Sequence, residues 1–157
     1  MEYKDWITLF TPIICNGIIV FALQEIFSRK FERYNKRQDI RNEVLKRFWN
    51  KLQELNGTFI QVNTAVMRNP EVASNSAGIF QNSVLDIIQY YDTNQFDLEI
   101  FSKEYVNFQQ SWNDFERIYK MYAGKQLDRQ KQLELGRALQ LVKEKNQELI
   151  NEVRRQY

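Results

Sequence analysis

The sequence contains no histidine, only one cysteine, five glycines and two prolines. Without histidine there is no imidazole base for a Ser-His or Cys-His pair, and the commonest ligand of catalytic zinc and non-haem iron is missing. A single cysteine, Cys15, excludes an internal disulfide and a thiolate metal cluster. The glycines are scattered singly, so no phosphate-binding loop is present. We therefore expect no enzyme, no cofactor and no metal centre.

The remaining composition is that of a folded protein of about one domain. Of the 157 residues, 43% are hydrophobic and 27% are charged. Lysine and arginine total 22 against 20 acidic residues, for a net charge of +2. This balance is too even to indicate a nucleic-acid-binding protein by itself.

One stretch near the N-terminus is apolar and almost free of charge. Residues Trp6–Gln24 contain no charged side chain, and 15 of the 22 residues from Trp6 to Phe27 are apolar. A helix of that length measures about 33 Å, close to the ~30 Å hydrocarbon layer of a membrane. The sequence therefore predicts a transmembrane anchor over residues 1–28. A signal peptide is less consistent because MEYKD lacks a basic region, and a buried or interfacial helix is the other alternative.

Basic residues are concentrated directly after this stretch. Residues 29–51 contain nine lysines and arginines against three acidic residues, whereas the other flank carries one lysine. The positive-inside rule then places the N-terminus outside the cell membrane and the rest of the chain in the cytoplasm. We expect contacts with membrane lipid from the residues nearest the two predicted membrane surfaces, which are Trp6, Arg29, Lys30, Arg33, Lys36 and Arg37.

Two features of this region leave alternatives open. Phe31 and Tyr34 alternate with the cations, a pattern that can also bind nucleic acid, although its position beside the predicted membrane favours lipid. Within the span, Thr8, Pro12 and Asn16 are spaced by four and share a helix face. They predict a contact between copies in which Asn16 hydrogen-bonds across a homo-oligomer. The alternative is an Asn16 satisfied by its own backbone.

The rest of the chain has the heptad spacing of packed helices. Apolar residues recur at steps of three and four from Leu45 to Val66 and from Phe80 to Tyr122, and a shorter series runs from Leu135 to Val153. Residues 68–78 are rich in small and polar residues and predict a loop. The fold class is therefore all-α, with a transmembrane helix followed by a rod-like, coiled-coil-like antiparallel bundle of about three long helices over 29–157. The predicted helix bounds are about 29–68, 79–122 and 127–155. A single long second helix is favoured because the spacing continues through it, and a break into two helices at Asp92-Thr93-Asn94 is the alternative.

The second series is unusually aromatic. At helical spacing such a stripe is more typical of a bundle core than of a binding groove. A partner groove is the alternative, above all for the two tyrosines nearest the end. The seven aromatic residues are Phe101, Tyr105, Phe108, Trp112, Phe115, Tyr119 and Tyr122.

The layout of one N-terminal span and a helical remainder resembles that of many small bacterial or phage-encoded membrane proteins. This resemblance implies no particular activity, because no residue motif carries it. We therefore expect a non-enzymatic, single-pass interaction or scaffold protein that self-associates or tethers a cytoplasmic protein at the membrane. The alternatives are a membrane-perturbing effector that clusters its spans, and a soluble assembly component whose apolar N-terminal helix packs on a partner.

Overall fold

In a computed structural model, the described residues are almost entirely helical, which confirms the all-α class. The structure describes the backbone of residues 3–68, 70–122 and 127–156, and the side chains of 21, 23–64, 77–122 and 127–156. The chain divides into two compact units, residues 1–42 and 43–157. Its helices are α1 (Tyr3–Arg68), α2 (Pro70–Thr93), α3 (Gln95–Leu98), a 3₁₀ turn (Glu99–Phe101), α4 (Ser102–Tyr122) and α5 (Arg129–Arg155).

The second unit is an antiparallel bundle of four long helices rather than three. Phe59 of α1 packs on Phe80 of α2 with ring centroids 4.9 Å apart, while Tyr90 near the end of α2 donates a hydrogen bond to the Val44 carbonyl (3.2 Å). The residue numbers rise along one helix as they fall along the other, so α1 and α2 are antiparallel. The same ordering relates α2 to α4 and α5 to α1. The helices therefore alternate in direction, as in an up-and-down bundle.

The apolar series of the sequence form the core of this bundle. All of the described residues of the first series, from Leu45 to Val62, are buried, as is the whole of the third series. In the second series every residue from Phe80 to Phe115 is buried except Asn94. Burying one large apolar side chain stabilises a fold by about 1.5–3 kcal/mol, so these residues supply most of the driving force. Heptad spacing therefore predicted the faces of the helices correctly.

The prediction of one long helix over 79–122 is wrong, because the chain reverses between Thr93 and Ser102. Asn94 leaves the helical region at φ −114° and ψ 27°. The side chains of Thr93 and Asn94 bond to the carbonyls of Gln89 (2.7 Å) and Tyr90 (2.8 Å). Short polar side chains of this kind compete with the backbone for its own hydrogen-bonding groups and favour helix ends. The reversal converts one predicted helix into α2 and α4.

The predicted loop over 68–78 is also wrong for the described residues, because α2 begins at Pro70. Proline suits the first turn of a helix, where its missing N–H has no intrahelical partner. Alanine and valine then continue the helix despite the neighbouring serines and asparagine.

The last helix begins where the sequence predicts. Asp128 is its N-cap, and the carboxylate accepts a hydrogen bond from the backbone N–H of Lys131 (2.9 Å). The Lys131 ammonium lies 2.8 Å from the same carboxylate. Hydrogen bonds from Lys131 hold the pKa of Asp128 below its usual value. The cap therefore fixes the start of α5 immediately before the buried series from Leu135 to Val153.

The first unit, residues 1–42, consists of the N-terminal part of α1. Its described side chains, from Phe21 onward, are exposed apart from Gln38 and Arg41, which are half-buried. They interact mainly along the helix. Arg29 pairs with Glu25 (2.9 Å), and the Gln38 amide donates to the Tyr34 hydroxyl (3.1 Å).

The reversal predicts a specific crosslink. The Gln81 amide lies 3.4 Å from the Glu116 carboxylate, whereas a continuous helix would separate these residues by about 50 Å. With Cys15→Ser as background, the double variant Gln81→Cys/Glu116→Cys should form an intramolecular bond with a short bis-maleimide, seen as a mobility shift on denaturing gels. The pair Gln81→Cys/Glu104→Cys should not, because Glu104 lies at the other end of α4. Equal crosslinking of both pairs would contradict the four-helix arrangement.

Candidate functional site

The structure places most of the predicted aromatic stripe inside the bundle. Five of its seven members are buried and two, at the end of α4, are half-buried. The buried rings belong to one apolar cluster formed by all four long helices. They are therefore not an open binding groove. The five are Phe101, Tyr105, Phe108, Trp112 and Phe115, and the half-buried pair is Tyr119 and Tyr122.

The aromatic rings contact each other in two groups. At one level Phe80 lies edge-on to Phe59, Trp112 and Phe115, with centroids 4.9 to 5.8 Å apart. Near the chain reversal Phe48 packs against Tyr91 and Phe101 at 6.0 and 6.5 Å. Edge-on aromatic pairs contribute about 0.5–1.5 kcal/mol beyond their buried area. The rings thus join α1, α2 and α4 at both levels.

Among the described residues, Tyr91 and Tyr105 form the closest aromatic contact, and it joins α2 to α4. Their rings are nearly parallel, with centroids 3.5 Å apart, and the Tyr105 hydroxyl lies 3.5 Å from Asp92. Burial raises the pKa of Tyr105 above its ordinary value, and the neighbouring Asp92 carboxylate raises it further. Burial likewise raises the pKa of Tyr91. These hydroxyls therefore stay protonated and are not poised as bases at neutral pH.

The two half-buried tyrosines lie at the end of α4 that connects to α5. Tyr119 stacks on Phe115 with centroids 6.0 Å apart. Tyr122 donates a hydrogen bond to the Glu134 carboxylate (2.5 Å) and so joins α4 to α5. That hydrogen bond raises the pKa of the Tyr122 phenol. The predicted alternative, a partner contact at these two residues, stays a prediction.

A buried polar contact joins α5 to α1. Asn146 is completely buried, and its amide donates to the Leu52 carbonyl (3.1 Å) and to the Asn56 side chain (3.2 Å). The Asn146 Oδ1 atom has no hydrogen-bond partner among the described residues. Such a group costs free energy in the core but disfavours other registers of two packed helices. Sequence reasoning placed Asn146 in the third series but did not foresee the bond to α1.

One groove opens between α1 and α5, next to this contact along the helices. It has a volume of about 120 Å³. Ile60 and Leu133 are exposed along the same face, and Leu133 borders a shallower extension of the depression. The groove is lined by Phe59, Ile60, Asn63, Thr64, Gly136, Leu139, Gln140 and Lys143.

Sequence reasoning also missed an ion pair between α1 and α2. Lys51 pairs with Asp86, and its ammonium lies 5.4 Å from the centre of the Tyr90 ring. The ion pair lies beside the buried apolar residues of α1 and α2. A pair in this position contributes little to stability but favours one pairing of the two helices. The sequence does show opposite charges beside the two apolar series. It does not show the register between α1 and α2, which decides which charges meet.

Most side chains of the predicted membrane segment lie outside the described part of the chain. The predicted contact residues Trp6, Thr8, Pro12 and Asn16 are all among side chains 1–20, which the structure does not describe. Within the part of the chain that the structure describes, no helix is apolar enough over a sufficient length to cross a membrane. The predicted lipid contacts beyond the span are described and are exposed on α1. They are Arg29, Lys30, Arg33, Lys36 and Arg37.

Comparison with family models, with curated proteins and with solved structures gives no match. Within the described part of the chain, no three Asp, Glu or Cys side chains converge to hold a metal ion. The candidate surfaces are the groove between α1 and α5 and the exposed part of α1 before the bundle.

The contact at Asn146 predicts a pH-dependent defect. Asn146→Asp replaces the amide donor by a carboxylate facing the Leu52 carbonyl, which cannot donate in return. Full-length protein should lose about 2–4 kcal/mol of unfolding free energy at neutral pH. Burial beside that carbonyl disfavours the charged form and raises the pKa of the introduced carboxyl in the folded state above the ~4 of an unfolded chain. Part of the loss should therefore be regained as the pH falls through the raised value towards about 4, because the protonated carboxyl can donate. Urea unfolding followed by circular dichroism measures both values.

The exposed Asn151→Asp is the matched control for this variant, since its side chain is open to solvent. It should change stability by no more than about 0.5 kcal/mol. If the two variants were equally stable, the buried bond from Asn146 to α1 would be incorrect.

The Tyr105 phenol predicts how stability falls in alkali. Because its pKa is raised in the folded state above the usual 10.0, its stabilisation is complete below pH 10 and is lost as the pH rises further. Tyr105→Phe removes this ionisation from the unfolded chain, so stability should fall less steeply above pH 10. Urea midpoints measured across that range test it, with the exposed Tyr34→Phe as control. Identical slopes for Tyr105→Phe and the wild type would contradict the assignment.

Proposed function

We propose that this protein is a non-enzymatic, single-pass membrane-anchored scaffold whose helical bundle holds a partner protein or a second copy at the cytoplasmic face. The observation that carries the proposal is the exposure of apolar side chains at the end of the predicted span. Phe21 and Phe27 are 69% and 66% exposed, and Leu23 and Ile26 are about half exposed. Leaving such side chains in water costs about 1.5–3 kcal/mol each relative to burial.

Lipid is the cover that agrees best with the surrounding sequence. The exposed apolar residues continue the uncharged stretch from Trp6 to Gln24, and the cations follow immediately from Arg29 onward. A span followed by a basic flank is the pattern of a helix retained in the membrane with that flank in the cytoplasm. A protein partner would also cover apolar residues but would not require the cations beyond them.

The bundle supplies the interaction surface in this proposal. Its core is closed by its own four helices, so residues 43–157 do not need the anchor to bury their apolar side chains. The groove between α1 and α5 offers exposed Ile60 and Leu133 beside the polar Asn63 and Gln140. A mixed apolar and polar rim of this kind suits binding of a protein segment.

Membrane fractionation tests the anchor. Full-length protein expressed in bacteria should stay in the membrane fraction after a carbonate wash, and in spheroplasts external protease should leave the residues after Arg29 intact. The variant Ile14→Lys/Ile18→Lys should be washed off, because each charge at the centre of a span costs about 2.5–3.5 kcal/mol. The control Ile60→Lys/Ile79→Lys, at exposed bundle positions, should be retained.

A wild-type protein that washes off in carbonate would contradict the anchor. The apolar N-terminal residues would then be an interface with another protein. Digestion of the bundle by external protease in intact spheroplasts would instead reverse the proposed orientation and leave the anchor in place.

A further inference from the structure

The exposed surface of α1 between Leu23 and Arg41 is divided by charge. Its acidic residues are Glu25, Glu32 and Asp39, and they are seven positions apart. Residues seven apart lie on almost the same side of a helix. All the carboxylates of this segment therefore form one line.

An apolar stripe runs along another side of the same segment. Leu23, Phe27, Phe31 and Tyr34 follow one another at steps of four, four and three, so they share one face. Phe31 is 66% exposed and Tyr34 is 60% exposed. At about 100° per residue the stripe lies roughly 140° around the helix from the acidic line.

Cations occupy the sector between the acidic line and the apolar stripe. Of the exposed cations, Lys30 and Arg37 lie closest to the stripe, with Arg33 beside them, at about 100° per residue. Arg29 is engaged by Glu25. Among the described residues, none of the other cations of this segment forms an ion pair. A surface of exposed rings and cations thus faces away from the carboxylates.

We propose that this surface, defined by Phe27, Phe31, Tyr34, Lys30, Arg33 and Arg37, binds anionic lipid head groups. Aromatic rings favour the boundary between acyl chains and head groups, and lysine and arginine are attracted to the negative surface potential there. The acidic line would oppose such binding if it faced the lipid, and the helix places it elsewhere. Charge complementarity therefore favours a negatively charged membrane over a neutral one.

The surface lies at a suitable height if the proposed anchor is correct. Phe31 and Tyr34 are about 6 and 10 Å along the helix from Phe27, where the predicted span ends. The head-group layer is about 5–7 Å deep, and surface potential extends about 8–10 Å further at moderate salt. The inference deepens the proposed function, and it adds a requirement that an anchor alone does not make, namely negative charge on the lipid.

A label beside the stripe tests the inference on the full-length chain. Asn35 is exposed next to Tyr34, and Cys15→Ser/Asn35→Cys can carry the environment-sensitive fluorophore NBD. The protein is incorporated into vesicles of phosphatidylcholine or of an equimolar mixture with phosphatidylglycerol. Emission should be brighter and shifted to the blue in the mixture, and the difference should shrink in high salt.

Two triple variants that remove the same amount of charge distinguish the effect of this surface from the effect of the total charge of the protein. Lys30→Gln/Arg33→Gln/Arg37→Gln should abolish the difference between the two lipid compositions. Lys103→Gln/Arg137→Gln/Lys143→Gln, which removes three exposed cations of the bundle, should preserve it. Loss of the difference in both triple variants, or in neither, would overturn the inference.

Flotation of the same vesicles distinguishes this inference from the anchor. If the protein floats with both lipids and the label responds to lipid composition, the anchor and the lipid surface are both supported. If it floats with both lipids but the label does not respond, only the lipid surface is overturned. If the protein floats only with vesicles that contain phosphatidylglycerol, and salt reverses this, the anchor is contradicted and the lipid surface is supported. If it floats with neither lipid, the anchor and the lipid surface are both contradicted. If the first triple variant lost binding to a single-stranded oligonucleotide while the label was unresponsive, the surface would bind nucleic acid instead.

Discussion

The arrangement of the bundle depends on the chain reversal between Thr93 and Ser102. There the polar side chains of Thr93 and Asn94 end α2, while Leu98 and Phe101 insert into the core and hold the turn against it. The stacked rings of Tyr91 and Tyr105, one on each side of the turn, hold α2 against α4. Without this reversal α2 and α4 could not lie on the same core, and the rings of Phe80 and Phe115 could not meet.

Heptad spacing predicted the buried faces but not the number of helices, for a physical reason. Leu98 and Phe101 are spaced like members of a helical series, yet they face the core from the turn. An apolar pattern indicates which residues are buried but not the backbone conformation between them. A turn whose buried residues keep the heptad spacing therefore cannot be distinguished from a continuous helix. The start of α2 at Pro70 is the opposite case, where small polar residues indicated a loop although the first-turn position tolerates proline.

The pairing of the helices could not be predicted from the sequence because it depends on contacts between distant residues. Apolar side chains of similar volume can replace one another in a core at little cost, so the apolar core alone permits several registers. Asn146 restricts the choice because its amide must donate to the Leu52 carbonyl and to Asn56, and Lys51 with Asp86 adds a second constraint from the opposite side of α1. Each pair is visible as polar residues in the sequence, but only the fold identifies the partners.

The two units differ in how much apolar surface they expose, and this difference supports the proposed division between a membrane anchor and an interaction bundle. In residues 43–157 most of the described rings are buried by the chain itself, although Phe96 is exposed, whereas in residues 21–42 Phe21, Phe27 and Phe31 are all exposed. The lipid contacts proposed there from the sequence stay a prediction, which did not consider that the carboxylates form one line away from the rings. Because cations and rings share the side opposite that line, an anionic membrane would cover the apolar surface and neutralise the positive charge together, which a neutral apolar partner would not do.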